Sequence, residues 1–418
     1  MPAGATRSDR FPRQNPIPAG WRHPCRVLPN GPNRWPVKNR RVENYRGEKP
    51  GFPAGSPAAK GGLNGFEMCL KTGKQNPAMG AASSYPAESD FNFEGETSRF
   101  KYGVHCMRGR RQKMEDTFSA IADLDGTSST SFFGVYDGHG GSDISSYCAK
   151  QFHVEVLKHP EYLDSPVNSL QSVFFRMDEL IEQSDEWREK VNPGGCTSCL
   201  KNGVWPFNQW PFNTEYGSEG STACVVLIRD NEIIVGNVGD SQCLLFVNGQ
   251  TMVLTQCHVP CDVDESERIR YSGGYLISDC WKIRNPEHRA GGLVALNNPP
   301  FVTLPISRSI GDSVFKQNKS LLPKDQIVTC EPRMKTVEIT EDTEFLVIAS
   351  NGIWKWLTHE RIVQTIRPYL LEGETDLRFI CKQVCIAAAN SCVMRDDMSI
   401  ILVQFKKHAK STEDKDHH

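Results

Sequence analysis

Apolar residues cluster in six short runs, at 131–138, 223–230, 232–240, 243–249, 344–352 and 398–405, edged by Gly, Asp or Asn. Their β-branched and aromatic content predicts β-strands. Asp230-Asn231 joins two of the runs so tightly that a hairpin, and therefore antiparallel pairing, is expected. Helical spacing of apolar positions predicts helices at 142–158, 166–190, 264–272, 358–370 and 375–391. Ser165-Pro166 puts a proline in the first turn of the second. Thr358 stands as an N-cap before the fourth, without the Glu of a full capping box. Strands and helices fall in separate blocks, which predicts an α+β layered domain rather than an alternating parallel one.

Ahead of residue 98 this pattern is missing. Residues 1–78 are rich in Pro, Gly, Asn and Arg, with almost no aliphatic run, and bury too little apolar surface to offset the entropy of ordering. The organisation expected is a disordered basic extension over 1–97, a folded domain over 98–406 and a polar tail over 407–418. The basic positions of the extension read as a solvated tail, with nuclear import through Lys38-Asn39-Arg40-Arg41 as the alternative. Met79-Gly80-Ala81-Ala82-Ser83-Ser84 matches the myristoylation pattern, which matters only if translation starts at Met79 rather than Met1.

Composition narrows the function classes. The 418 residues are 38% hydrophobic, enough for a sizeable core, and the net charge of −2 argues against nucleic acid as the main ligand. With no apolar stretch of membrane-spanning length and no secretory segment, a monomeric cytoplasmic or nuclear protein is expected. The 15 cysteines are odd in number and scattered; Cys148, Cys224, Cys243, Cys381 and Cys385 sit in apolar or helical runs and read as buried free thiols. Cys196 and Cys199 form a lone C-x-x-C without the second pair of a zinc ribbon. The loop 191–219 carries Trp205, Phe207, Trp210 and Phe212, which suit either a partner surface or packing onto the protein's own helices.

Candidate chemistry gathers at strand ends. Asp137, Asp240 and the pair Asp396-Asp397 each adjoin an apolar run, and residue 351 occupies the same kind of position. Carboxylates brought to one rim repel unless a cation neutralises them, and oxygen-only ligands select Mg²⁺ or Mn²⁺ over zinc. In Asp137-Gly138-His139-Gly140-Gly141 the glycines let backbone carbonyls approach an ion, and His139 can protonate a departing oxygen. Arg111 precedes the acidic pair Glu115-Asp116; its guanidinium suits phosphate oxygens. Each residue alone also reads as a turn residue or a surface ion pair.

Together these stretches resemble the metal-dependent protein phosphatases of the 2C family, the plant members most closely, over roughly residues 98–406. Arg111…Met114-Glu115-Asp116 matches R-x-x-M-E-D, and Val135-Tyr136-Asp137-Gly138-His139-Gly140-Gly141 matches [VF]-[FY]-D-G-H-G-G. Gly220-Ser221-Thr222-Ala223, Asn237-Val238-Gly239-Asp240-Ser241, Ser307-Arg308-Ser309-Ile310-Gly311-Asp312 and Arg395-Asp396-Asp397-Met398-Ser399 follow in the family's order. The resemblance implies a four-layer αββα sandwich of two antiparallel sheets flanked by helices. It also implies two Mg²⁺ or Mn²⁺ ions and hydrolysis of phosphoserine and phosphothreonine in proteins by a metal-activated hydroxide. By the same resemblance Asp137 bridges the ions, the Gly138 carbonyl and Glu115 bind one, Asp396 binds the other and Asp240 serves a third. Arg111 then holds the substrate phosphate and His139 acts as general acid.

Two departures stand out. The family's D-G-[IL]-W-D is Asn351-Gly352-Ile353-Trp354-Lys355 here, and its D-[HKL]-[KR]-P is Cys257-His258-Val259-Pro260. Asn351 offers an ion a neutral oxygen; the lost attraction is on the order of 4 kcal/mol at ~4 Å and an effective dielectric of ~20. Lys355 adds repulsion if it faces the site. Two readings follow: a phosphatase of reduced activity, or a pseudo-phosphatase that binds phosphoproteins without hydrolysing them. Deamidation at Asn351-Gly352 is a third route, restoring an acidic group.

Overall fold

The computed structural model describes residues 91–187, 218–277, 282–284, 303–391 and 396–406. The basic extension, Met79-Gly80, Cys196 and Cys199, the aromatic loop apart from Ser218 and Glu219, Arg395 and the polar tail lie outside the described residues.

In chain order the strands are β1 (Phe91–Glu96), β2 (Phe100–Met107), β3 (Thr117–Ile121), β4 (Thr130–Tyr136), β5 (Gly138–His139) and β6 (Gly220–Ser221). They continue with β7 (Ala223–Arg229), β8 (Glu232–Val238), β9 (Gln242–Val247), β10 (Gln250–Val253), β11 (Tyr275–Ile277), β12 (Lys282–Arg284) and β13 (Thr303–Leu304). The last are β14 (Ile310–Gly311), β15 (Arg333–Glu338), β16 (Thr343–Ala349) and β17 (Met398–Phe405). The helices are α1 (Asp143–Lys158), α2 (Pro166–Gln183), α3 (Val263–Tyr271), the single turn α4 (Asn351–Trp354), α5 (His359–Leu371) and α6 (Leu377–Asn390).

Two antiparallel sheets carry the fold, one ordered β1-β2-β17-β16-β9-β10 and the other β15-β8-β7-β4-β3. Strand alternation explains the layering. In β7, Cys224, Val226 and Ile228 pack between the sheets, whereas Ala223, Val225 and Leu227 pack under α1 and α2. In β17, Ile401 and Val403 face the other sheet while Ile400 and Leu402 face α5 and α6. Both faces of each central strand are therefore apolar, which is why they read as unbroken hydrophobic runs. The result is the αββα sandwich that the resemblance implied and an instance of the α+β layered class that the pattern predicted.

Local signals hold in detail. Asp230 takes the positive φ (49°) that a tight two-residue hairpin between β7 and β8 requires. Thr358 Oγ1 accepts the Arg361 N–H at 3.2 Å, capping α5. The second helix breaks at Ser184, which turns extended; residues 185–187 are helical again, with Trp187 on the same core, and 188–190 lie outside the described residues. Pairing begins ahead of residue 98: β1 registers against β2 from Phe91↔Cys106 to Glu96↔Lys101. Of the strands in these two sheets, β1, β2, β3, β10 and β15 were not among the predicted runs; polar residues interrupt them, and all but β2 lie at sheet edges. Cys148, Cys224, Cys243, Cys381 and Cys385 are buried and form no disulfide. Among the described residues no helix is long and apolar enough to cross a membrane.

Candidate active site

The loop from β2 to β3 carries Arg111 and Glu115, and Asp397 holds it in place. Asp397 Oδ1 accepts the Gly109 N–H at 3.0 Å and Oδ2 accepts the Glu115 N–H at 2.8 Å. A side chain at position 109 would collide with the Asp396 backbone, its Cβ 2.1 Å from the carbonyl oxygen, so only glycine lets loop and strand meet. Ser145 Oγ, on α1, donates to the Glu115 carbonyl at 2.6 Å. Arg111 thereby reaches two carboxylates at once: Nη1 donates to Glu115 Oε2 at 2.5 Å and Nη2 to Asp396 Oδ1 at 2.7 Å.

Asp137 follows β4 directly. Its N–H donates to Thr222 Oγ1 at 3.2 Å and its carbonyl accepts the Thr222 N–H at 2.9 Å. Its carboxyl Oδ2 accepts the backbone N–H of Asn351 at 3.2 Å, at the start of α4. Burial pushes this carboxyl well above the carboxylate range, and repulsion from Asp116, Asp240 and Asp396 adds to it. Asp116 is pushed up to about 7, chiefly by burial and then by Asp397 and Asp396, with the Ser350 hydroxyl opposing. Burial also raises Glu115, partly offset by Arg111. Asp240, at the end of β8, is likewise buried.

The predicted residues Glu115, Asp137, Asp240 and Asp396 thus act on one electrostatic neighbourhood, and Gly138 sits in β5 beside it. Asp137, Asp116 and Asp397 are each raised by burial and by neighbouring carboxylates, the mark of a site short of positive charge. Asn351 Oδ1 is buried without a hydrogen-bond partner and points the same way. Its donors are all oxygens, which suits a hard divalent cation. Among the described residues no three Asp, Glu, His or Cys side chains already stand in ligating array; Glu115 and Asp396 are turned onto Arg111 instead.

Lys355 does not add its charge to this neighbourhood. It is exposed, and its ammonium lies 5.8 Å from the centre of the Trp356 ring. The Asn351-Gly352 pair is wedged in place. A Cβ at Gly352 would stand 1.9 Å from the Asp397 carbonyl oxygen, and the Asn351 N–H is tied to Asp137. Cyclisation of this dipeptide needs backbone rotation that the packing opposes, so the deamidation route finds no support in the folded chain.

His139 Nε2 lies 2.8 Å from Asp312 Oδ2. Burial alone would lower this histidine, but Asp312, with smaller contributions from Asp240 and Glu115, raises it above its ordinary value. Sequence reasoning named Asp116 and Asp397 only as members of acidic pairs, with no assigned role, and gave Asp312 none. Asp116 and Asp397 adjoin predicted residues and could have been found there; Asp312 stands 173 positions from its partner.

A family model described as Protein phosphatase 2C matches residues 100–201 and 207–395. The chain belongs to the protein phosphatase 2C family. Curated phosphatase 2C relatives agree. "Probable protein phosphatase 2C 21" of Oryza sativa subsp. japonica is 42% identical over 332 residues, 78% of this chain and 90% of that one. "Probable protein phosphatase 2C 60" of Arabidopsis thaliana is 38% identical over 360 residues, 80% and 94% of the two chains. A solved serine-threonine phosphatase 2C from Toxoplasma gondii shares the phosphatase 2C fold at a TM-score of 0.59 and 17% identity, over 76% of this chain and all of that one.

Proposed function

We propose that this chain is a protein serine/threonine phosphatase that hydrolyses phosphoserine and phosphothreonine in phosphorylated proteins, at a rate held down by Asn351. The supporting observation is the convergence of Asp137, Asp240, Asp396 and Glu115 on one neighbourhood beside Arg111 and His139. Phosphatases of this family are generally Mg²⁺- or Mn²⁺-dependent, and such ions, when bound, activate water and neutralise phosphoryl oxygens. Glu115, Asp137, the Gly138 carbonyl, Asp396 and Asn351 would hold two of them, with Asp240 serving a weaker third. Arg111 exchanges a carboxylate for the substrate phosphate, a match for its planar fork. His139 supplies the proton to the leaving serine or threonine oxygen. The buried free thiols fit a reducing compartment, cytoplasm or nucleus.

One observation favours the second reading, a pseudo-phosphatase that binds phosphoproteins: Arg111 already neutralises Glu115 and Asp396. Phosphothreonine-peptide turnover by the native chain and by Asn351→Asp, titrated with Mn²⁺, separates the two. Native turnover is expected, and Asn351→Asp raises it about tenfold while reaching half-maximal rate at about tenfold less Mn²⁺. No native turnover at any Mn²⁺ concentration, with turnover in Asn351→Asp, selects the pseudo-phosphatase.

A further inference from the structure

We infer that Asp312 is the positioning residue for His139: its carboxylate takes Nε2–H and leaves Nδ1 to carry the proton delivered to the leaving oxygen. This rests on the phosphatase reading above.

The pair is built by the fold, with support from several elements. Asp312 is fully buried, and it is one of four non-glycine residues with positive φ (51°) among those described. Left-handed backbone at a non-glycine residue is strained and persists where surrounding contacts over-determine it. They do so here. The Asp312 N–H donates to the Glu219 carbonyl at 2.9 Å, and its own carbonyl accepts the Phe315 N–H at 2.9 Å. Ser309 Oγ donates to Asp312 Oδ2, the oxygen that meets His139, at 2.5 Å. The preceding Gly311 N–H donates to Asp178 Oδ1 on α2 at 2.8 Å, and Lys316 Nζ grips Asp178 Oδ2 at 2.5 Å. A path of hydrogen bonds thus runs from α2 to the imidazole.

Gly220 supplies the clearance. A Cβ there would stand 2.3 Å from Asp312 Oδ2 and 2.7 Å from His139 Nε2, so any side chain would drive into the contact. The glycine of the Gly220-Ser221-Thr222-Ala223 stretch is therefore required for the pair to close. Its neighbours in β5 and β14 are registered through β6, His139↔Gly220 and Gly311↔Gly220, which brings the two ends of the pair together.

A ring held at one nitrogen has its other nitrogen aimed. In the step itself the Nδ1–H bond breaks and an O–H bond forms on the serine or threonine oxygen. The P–O bond breaks with its electron pair passing to that oxygen, water's oxygen joins phosphorus keeping one hydrogen and releasing its other proton to solvent, and inorganic phosphate leaves. Nδ1 regains a proton from solvent.

The test uses the full chain with Mn²⁺ and two substrates, a phosphothreonine peptide and p-nitrophenyl phosphate, whose acidic leaving group needs no protonation. Asp312→Gly removes the carboxylate while tolerating the backbone conformation. It should lower kcat on the peptide about 10- to 100-fold and on the aryl ester by less than about threefold. Asp312→Asn, which keeps an acceptor, should recover part of the loss, and Gly220→Ala should reproduce the Asp312→Gly pattern. Equal losses on both substrates mean a structural role and overturn the inference. Independently, ¹⁵N-histidine spectra should show a downfield, slowly exchanging Nε2–H of His139 in the native protein that vanishes in Asp312→Gly. Its absence from the native spectrum, or its persistence in Asp312→Gly, overturns the inference. If the native chain hydrolyses neither substrate, the phosphatase reading falls, and these spectra alone decide whether the positioning contact exists.

Discussion

Asp137→Asn is expected to abolish phosphopeptide hydrolysis, by about a thousandfold or more, while making the metal-free protein more stable. The two effects have one cause. Asp137 is half-buried beside Asp116, Asp240 and Asp396; desolvation first, and then their repulsion, raises its proton affinity well above normal. Charge repulsion of this kind is useful only when a divalent cation relieves it; without the ion it strains the fold. An asparagine keeps an acceptor for the Asn351 N–H (3.2 Å) and removes the charge. Stability gains from relieving active-site strain are about 1 kcal/mol. Calorimetry should therefore give a higher Tm for Asp137→Asn in chelator. Mn²⁺ should raise the native Tm and leave the variant nearly unmoved, since a ligand stabilises only what it binds. A variant less stable than the native chain in chelator would argue against a charge-strained site.

The second large effect lies away from the chemistry. Glu265 on α3 is buried to 1% exposure and meets two guanidinium groups, Arg308 Nη2 at 2.6 Å and Arg268 Nη2 at 2.7 Å, with Ser307 Oγ at 2.6 Å. Burial would raise its pKa, but the Arg308 and Arg268 guanidiniums outweigh it and pull the carboxyl down to about 2 from an ordinary 4.5. Because the folded value is depressed, the stabilisation is complete above about pH 4.5 and is lost as pH falls toward 2, at about 1.4 kcal/mol per unit. Glu265→Gln leaves two buried cations with only the more distant Glu331 carboxylate, 3.8 Å from Arg308, as counter-charge, and should cost about 3 kcal/mol at pH 7. Urea unfolding followed by circular dichroism should show that gap shrinking steadily from about pH 5 downward as the native protein loses its advantage. A gap constant across that range would mean the pair contributes packing rather than charge. Arg308 belongs to the stretch ending at Asp312, so the variant should also loosen the segment that supports His139.

Much of the architecture was legible in the chain. The central strands could be found because both of their faces are buried, so Phe132-Phe133, Val225-Val226 and Ile400-Ile401 read as continuous apolar runs. Edge strands such as β15 were hidden for the opposite reason: Lys335 and Thr336 are exposed, and their pairing with β8 supplies what the side chains do not. Arg111, Glu115, Asp137, His139, Asp240 and Asp396 could be singled out as candidates because carboxylates at a strand end and a histidine in a glycine-rich turn leave a local pattern.

By itself the sequence determined the layered α+β class, the carboxylates available to a divalent cation and the neutral Asn351 among them, all consequences of residue type and short-range spacing. Only the tertiary structure decided that Lys355 turns onto Trp356, that Arg111 spans Glu115 and Asp396, and that Asp312 seats His139. Arg111 on Asp396 and His139 on Asp312 join positions 285 and 173 residues apart at 2.7 and 2.8 Å, and charge and hydrogen bonding act over distance in space, whatever the separation along the chain; the turn of Lys355 depends on which way α4 presents it.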